Sequence, residues 1–93
     1  HLYDAVDNVS VNDLMLLPNP VNVNSTLLVA AEFASEEREG LSVEVFNAVG
    51  QRVYADRPMV YPIQISGLSE SGIYMVRITT GTGKLYYGKV VVK

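Results

Sequence analysis

The chain has no cysteine and no tryptophan, and its one histidine is His1. Without cysteine there is neither a disulfide framework nor a thiolate metal site. The compartment stays open, since secreted domains can do without disulfides. Without an internal histidine, the turn serines Ser25, Ser66, Ser69 and Ser71 lack the base that a hydrolase triad requires. Long apolar runs are missing too. None approaches the ~18 residues that would span a bilayer, and no secretory signal peptide opens the chain. No stretch shows the periodicity of an amphipathic helix of useful length. The chain begins at His1 rather than methionine, which reads as a piece of a longer or processed protein, with His1 itself a tag remnant.

Charge of one sign is scarce in each half. Residues 1–40 hold seven acids against the single base Arg38, and residues 41–93 hold three acids against six bases. The net charge of −3 therefore hides an acidic first half and a basic second half. A two-signed soluble surface explains this; so does a basic C-terminal face that meets an anionic partner. Nucleic acid is not expected, because the bases do not cluster with exposed aromatics and the isoelectric point is near 4.9.

What is present is strand pattern. The length of 93 residues fits one domain, with 48% apolar and 18% charged residues, a globular balance. Residues 1–13 read as a linker with one short strand at Val9–Val11. Leu14–Leu17 is an apolar run ended by Pro18-Asn19-Pro20, which suits an edge strand running into a turn. Thr26–Phe33 alternates, with Leu27, Val29, Ala31 and Phe33 on one face. Ser35–Gly40 reads as a charged loop rather than the helical turn that its strong helix formers also allow, with Glu36, Glu37 and Glu39 at a solvated tip. Leu41–Phe46 and Gln51–Ala55 form a hairpin around Asn47–Gly50. Tyr61–Ile65 carries Pro62 and is expected at a sheet edge.

The most informative stretch is Gly72–Lys93, two strands around Gly81-Thr82-Gly83. Tyr74, Val76, Ile78 and Thr80 share one face, as do Tyr86, Gly88, Val90 and Val92. Arg77, Thr79, Lys84, Lys89 and Lys93 are left for the other faces. In total, about seven short strands between turns predict an all-β, immunoglobulin-like sandwich of antiparallel strands. Leu68, Gly72 and Tyr74 match a tyrosine corner, in which a tyrosine hydroxyl ties down the backbone at the start of a late strand.

Sites for chemistry are weak. Asp4, Asp7, Asn8 and Asp13 offer oxygen ligands for calcium, but their spacing fits no EF-hand loop. Gly81-Thr82-Gly83 sits between strands and is a turn rather than a phosphate cradle. Tyr61, Tyr86 and Tyr87 are candidates for sugar stacking, although adjacent Tyr86 and Tyr87 face opposite sides of a strand. No catalytic residue, metal or cofactor is expected.

The order of short motifs resembles the C-terminal sorting domain, type A, of cargo proteins of the type IX secretion system of Bacteroidetes-type bacteria. The matching pieces are Leu17-Pro18-Asn19-Pro20, Val43 to Val53 with Gly50 in its turn, Ile65-Ser66-Gly67-Leu68, Gly72 to Ile78, and Lys89-Val90-Val91-Val92-Lys93. Together they cover residues 17–93 and place the sorting domain at 14–93. The spacing from Leu68 to Gly72 is one residue longer than the commonest form, and residues 1–13 match nothing in the family. The resemblance implies a non-catalytic, seven-stranded immunoglobulin-like secretion signal. Such a domain directs an N-terminal cargo, often a protease or adhesin, across the outer membrane to the cell surface or beyond. An outer-membrane shuttle protein recognises it, and a sortase removes it and joins many cargoes to anionic lipopolysaccharide. Lys89, Val90, Val91, Val92 and Lys93 are the expected recognition segment, by strand addition or capture of the chain end in a backbone nest. A homodimer through the Leu14–Leu17 or terminal strand edge is a further expectation. The competing reading is an accessory sandwich module of a surface enzyme or adhesin, binding glycan or packing on a neighbouring domain.

Overall fold

The structure, a computed structural model, describes residues 11–93. Its strands are β1 (Val11–Asp13), β2 (Leu16–Leu17), β3 (Leu27–Val29), β4 (Ser42–Phe46), β5 (Arg52–Asp56), β6 (Gln64–Ile65), β7 (Gly72–Thr79) and β8 (Leu85–Val92). Among the described residues one short helix, α1, covers Ser35–Arg38. The strands form two sheets, a five-stranded one in the order β1-β8-β7-β4-β5 and a three-stranded one in the order β2-β3-β6. All pairs are antiparallel except β1 with β8. The expected all-β sandwich is the observed architecture.

The period of two fills the space between the sheets. Val43 and Val45 of β4, Tyr74, Val76 and Ile78 of β7, and Val90 and Val92 of β8 are buried from one sheet. Leu16, Leu27, Val29 and Ile65 are buried from the other. Each aliphatic side chain removed from water stabilises by about 1.5–3 kcal/mol. Thr80, at the end of the β7 pattern, is also buried; its hydroxyl accepts from Lys84 N–H at 3.0 Å and lies 3.1 Å from the Thr82 hydroxyl. Thr80 therefore closes the β7–β8 turn from inside.

Strand lengths depart from the pattern. Thr26–Phe33 contains only the three-residue β3, although Leu27, Val29 and Phe33 are buried and Ala31 is half-buried as their spacing requires. Tyr61–Ile65 contracts to Gln64–Ile65, which does lie at a sheet edge. The first short strand is Val11–Asp13; Val9 lies outside the described residues.

The charged stretch Ser35–Gly40 is not simply a loop. Ser35–Arg38 is helical, and a helix this short is not stable alone. Docking makes it possible. Gly81 N–H donates to the Glu37 carbonyl at 2.9 Å, and Lys84 Nζ pairs with Glu37 Oε2 at 3.3 Å. Arg38 Nε donates to the Phe33 carbonyl at 2.9 Å, and its guanidinium lies 4.6 Å from the Tyr61 ring centroid. These contacts come from residues far along the chain, so local pattern could not announce them.

Several motif positions are held by specific hydrogen bonds. Tyr74, with its ring in the core, donates its hydroxyl to the Glu70 carbonyl at 2.7 Å, the hydrogen bond of a tyrosine corner. Buried Leu68 has its carbonyl held by Asn24 N–H at 2.9 Å. The β4–β5 turn is built on Asn47, whose Oδ1 accepts from Val49 and Gln51 N–H at 3.2 and 2.9 Å. Gly50 supplies its left-handed residue, at φ +84°.

Candidate functional site

The recognition segment expected from the sequence, Lys89–Lys93, is split by its own strand. Val90 and Val92 point into the core and are 0% and 2% exposed. Lys89 and Lys93 are exposed, and Val91 is half-buried on the outer side. Only three of the five side chains are therefore presented to solvent.

The backbone of that segment is occupied on both sides, which corrects the expectation that the terminal strand is an open edge. β8 lies second in its sheet. On one side it pairs with β7 from Gly72↔Val92 to Thr79↔Leu85. On the other, β1 covers Leu85–Tyr87, and Leu14 N–H donates to the Tyr87 carbonyl at 2.8 Å. Pro18 and Pro20 carry no N–H, and Asn19 between them substitutes its side-chain amide for a strand's backbone. Its Nδ2 donates to the Lys89 carbonyl at 2.9 Å, and its Oδ1 accepts from Val91 N–H at 3.1 Å. Val21 then bonds on: its N–H donates to Val91 O at 2.9 Å, and its carbonyl accepts from Lys93 N–H at 2.8 Å. Val23 N–H closes the row on Lys93 O at 2.9 Å. Strand addition, to a partner or to a second copy, finds no free ladder there. β2, at the end of the small sheet, remains an edge strand as expected.

This gives the Pro-Asn-Pro motif a physical task. Asn19→Ala removes two hydrogen bonds at once and should lower stability by about 1–2 kcal/mol. It should also speed hydrogen exchange of the Val91 amide, leaving that of β4 amides unchanged. Equal protection of Val91 in both proteins would show that the strap holds β8 without Asn19.

Charge on the outer face of the large sheet is concentrated on Glu44. Arg77, its cross-strand partner, donates to Oε1 through Nε at 3.2 Å and through Nη2, while Arg52 Nη1 pairs with Oε2 at 3.0 Å. The Arg77 guanidinium also lies 5.0 Å from the Phe46 ring centroid. The hydrogen bonds from Arg77 and then Arg52 hold the Glu44 carboxyl below its ordinary value of 4.5. A lowered folded value means that this stabilisation is complete above about pH 4.5 and is lost as pH falls through the lowered value. Both arginines are partly solvated, so the contribution is modest, roughly 0.5–1 kcal/mol. In Glu44→Gln, stability measured from pH 7 down to 3 should show a shallower acid limb than in the parent. An identical slope would remove Glu44 from the acid response.

Arg52, Arg77 and Lys84 are thus matched by Glu44 and Glu37. Arg57, Lys89 and Lys93 have no carboxylate partner among the described residues. The expected basic C-terminal face reduces to these three, and only the two lysines lie on the last strand or at its end.

The other candidate sites do not assemble. Asp4, Asp7 and Asn8 lie outside the described residues, and among the described residues no group of three metal-capable side chains gathers. Tyr61 stacks with Arg38, and Tyr86 meets Phe33 edge-on at 5.3 Å, so both rings are engaged in packing. One surface depression, about 510 Å³, is lined by Arg38, Leu41, Arg57, Met59 and Tyr61 among others. No helix among the described residues is long and apolar enough to cross a membrane.

Residues 15–93, from Met15 beside β2 through β8 to Lys93, match the family described as secretion system C-terminal sorting domain. The chain belongs to this family. Neither a curated protein nor a solved structure matches it. As a sorting domain it is a type IX secretion signal, which implies export to the cell surface or extracellular space.

One feature of the sorting domain was missed by reading the alternation. Ile73 and Met75 of β7 lie on the outer face at 51% and 39% exposure. The sequence pattern attended to the inner residues and to Arg77, and passed over two apolar residues at positions where a solvated face is ordinarily polar. The signal was legible in Gly72-Ile73-Tyr74-Met75-Val76, which is apolar on both faces rather than alternating.

Proposed function

We propose that residues 14–93 act as a non-catalytic address that carries a folded N-terminal cargo across the outer membrane through the type IX system, with residues 1–13 as the linker. An outer-membrane shuttle protein of that system reads the folded domain, and a sortase then severs it and transfers the cargo to anionic lipopolysaccharide. The observation that carries this reading is the family match from residue 15 to residue 93. The geometry supports it in one way: the sandwich is closed along its last strand, so the domain can travel as a folded unit.

Removal of the domain is testable on a cargo tagged on both sides of residues 1–13. In a host with an active sortase, surface material should carry the cargo tag and lack the tag beyond residue 13. Without the sortase, the two tags should stay together. Surface cargo that keeps both tags in the competent host would overturn the cleavage step.

A further inference from the structure

We propose that the outer face of the five-stranded sheet is a docking surface for a protein that is apolar at its contact centre and carries carboxylates at the rim. The centre of the face is Phe46, Ile73, Met75 and Val91. This inference rests on the sorting-signal reading and names the surface through which the signal is read.

Cross-strand register brings these four residues together. Met75 lies opposite Phe46 on one side and Lys89 on the other, and Ile73 lies opposite Val91. Val53 of neighbouring β5 adds a further exposed apolar side chain at 45%. A sheet face turned to water is ordinarily polar at such positions, and a contiguous apolar area with a polar border marks an interaction surface. Beside Phe46 on the same face, Arg77 and Arg52 share the one carboxylate of Glu44, which leaves that trio with one net positive charge. Lys89 stands directly beside Met75, Lys93 follows Val91 and Val92, and neither has a carboxylate partner among the described residues. Two unmatched cations bordering an apolar centre call for acidic groups on the occupant. With the edge of β8 closed, its outward side chains, rather than its backbone, are what the terminal strand offers a partner. A flat sheet face also favours a protein surface over lipid, which is met by amphipathic helices and longer basic clusters.

The test uses the 93-residue chain behind a periplasmic reporter in a type IX-competent host, with the purified outer-membrane shuttle protein as binding probe. Ile73→Glu with Met75→Glu should lower export and shuttle binding by about tenfold or more, the scale of losing a contact at an interface centre. Lys89→Glu with Lys93→Glu cannot disturb the core, and should slow association and weaken its salt dependence. Met59→Glu, at a residue remote from this face and 91% exposed, should export as the parent does. Unchanged melting temperatures keep these results separate from unfolding. If the parent fusion stays in the periplasm, the sorting reading fails and the docking face fails with it. If the parent is exported and both folded double variants are exported equally well, the docking face alone is overturned. Three other results also overturn it. One is a parent dimer that the Ile73/Met75 variant dissolves, which assigns the face to a second copy. Another is faster exchange at Ile73 and Met75 on removing residues 1–10, which assigns it to the chain's own acidic start. The third is binding to anionic vesicles that the lysine variant abolishes, which assigns it to lipid.

Discussion

Gly81→Ala should cost roughly 3 kcal/mol or more, the largest loss expected from so small a change in this chain. A Cβ built on Gly81 would lie 1.7 Å from the Glu39 carbonyl oxygen and 3.0 Å from that of Glu36. Those are backbone atoms at the end of α1, which cannot swing away as a side-chain tip can. The β7–β8 turn and α1 must then separate. With them go the Gly81–Glu37 hydrogen bond and the Lys84–Glu37 ion pair. At about 4–8 °C per kcal/mol for a domain of this size, the melting temperature should fall by roughly 12–24 °C. Gly83→Ala is the internal comparison. Gly83 has φ +89° and open space around its missing Cβ, so alanine there brings only left-handed strain, about 1 kcal/mol. Equal losses at the two positions would mean that α1 is not seated on the turn.

Gly88→Val should cost about 2–3 kcal/mol by overpacking. Gly88 faces inward from β8 between buried Val90 and half-buried Tyr86. The place of its missing Cβ is 2.9 Å from Leu14 Cβ, 2.9 Å from Leu16 Cδ1 and 3.2 Å from the Leu14 carbonyl oxygen. Glycine is thus the residue that lets Leu14 and Leu16 lie across the last strand. Valine would push the two leucines outward, and with them the segment that continues into Pro18-Asn19-Pro20. Denaturant unfolding should show the lower midpoint, and exchange at the Val91 amide should rise through the loosened strap. A valine variant as stable as the parent would show that Leu14 and Leu16 can move without loss.

These two glycines also mark what the sequence could and could not tell. Alternation located the core directly: Val76, Ile78, Val90 and Val92 are buried because successive strand side chains face opposite ways. Tyr74 could be placed at its corner because the motif is local, running from Leu68 to Tyr74. The failures involve contacts between distant stretches. Ser35–Arg38 is helical because Gly81 and Lys84, more than forty positions on, receive it. The last strand looked like an edge because nothing local says that Asn19, seventy residues earlier, mimics a strand beside Lys89. Alternation placed Gly88 on the inner face, but nothing local says that it makes room for Leu14 and Leu16. The candidate site suffered for the same reason. Lys89–Lys93 could be singled out as a motif, but only the pairing of β7 with β8 and β4 shows that Lys89 borders Met75, with Phe46 on the far side of Met75.

The most direct measurement of the central claim is the fate of residues 14–93 fused behind a periplasmic reporter in a type IX-competent host. The account predicts reporter at the cell surface or in the medium, and reporter held in the periplasm when the same host lacks the type IX translocation machinery. A folded fusion that stays in the periplasm of the competent host would contradict it.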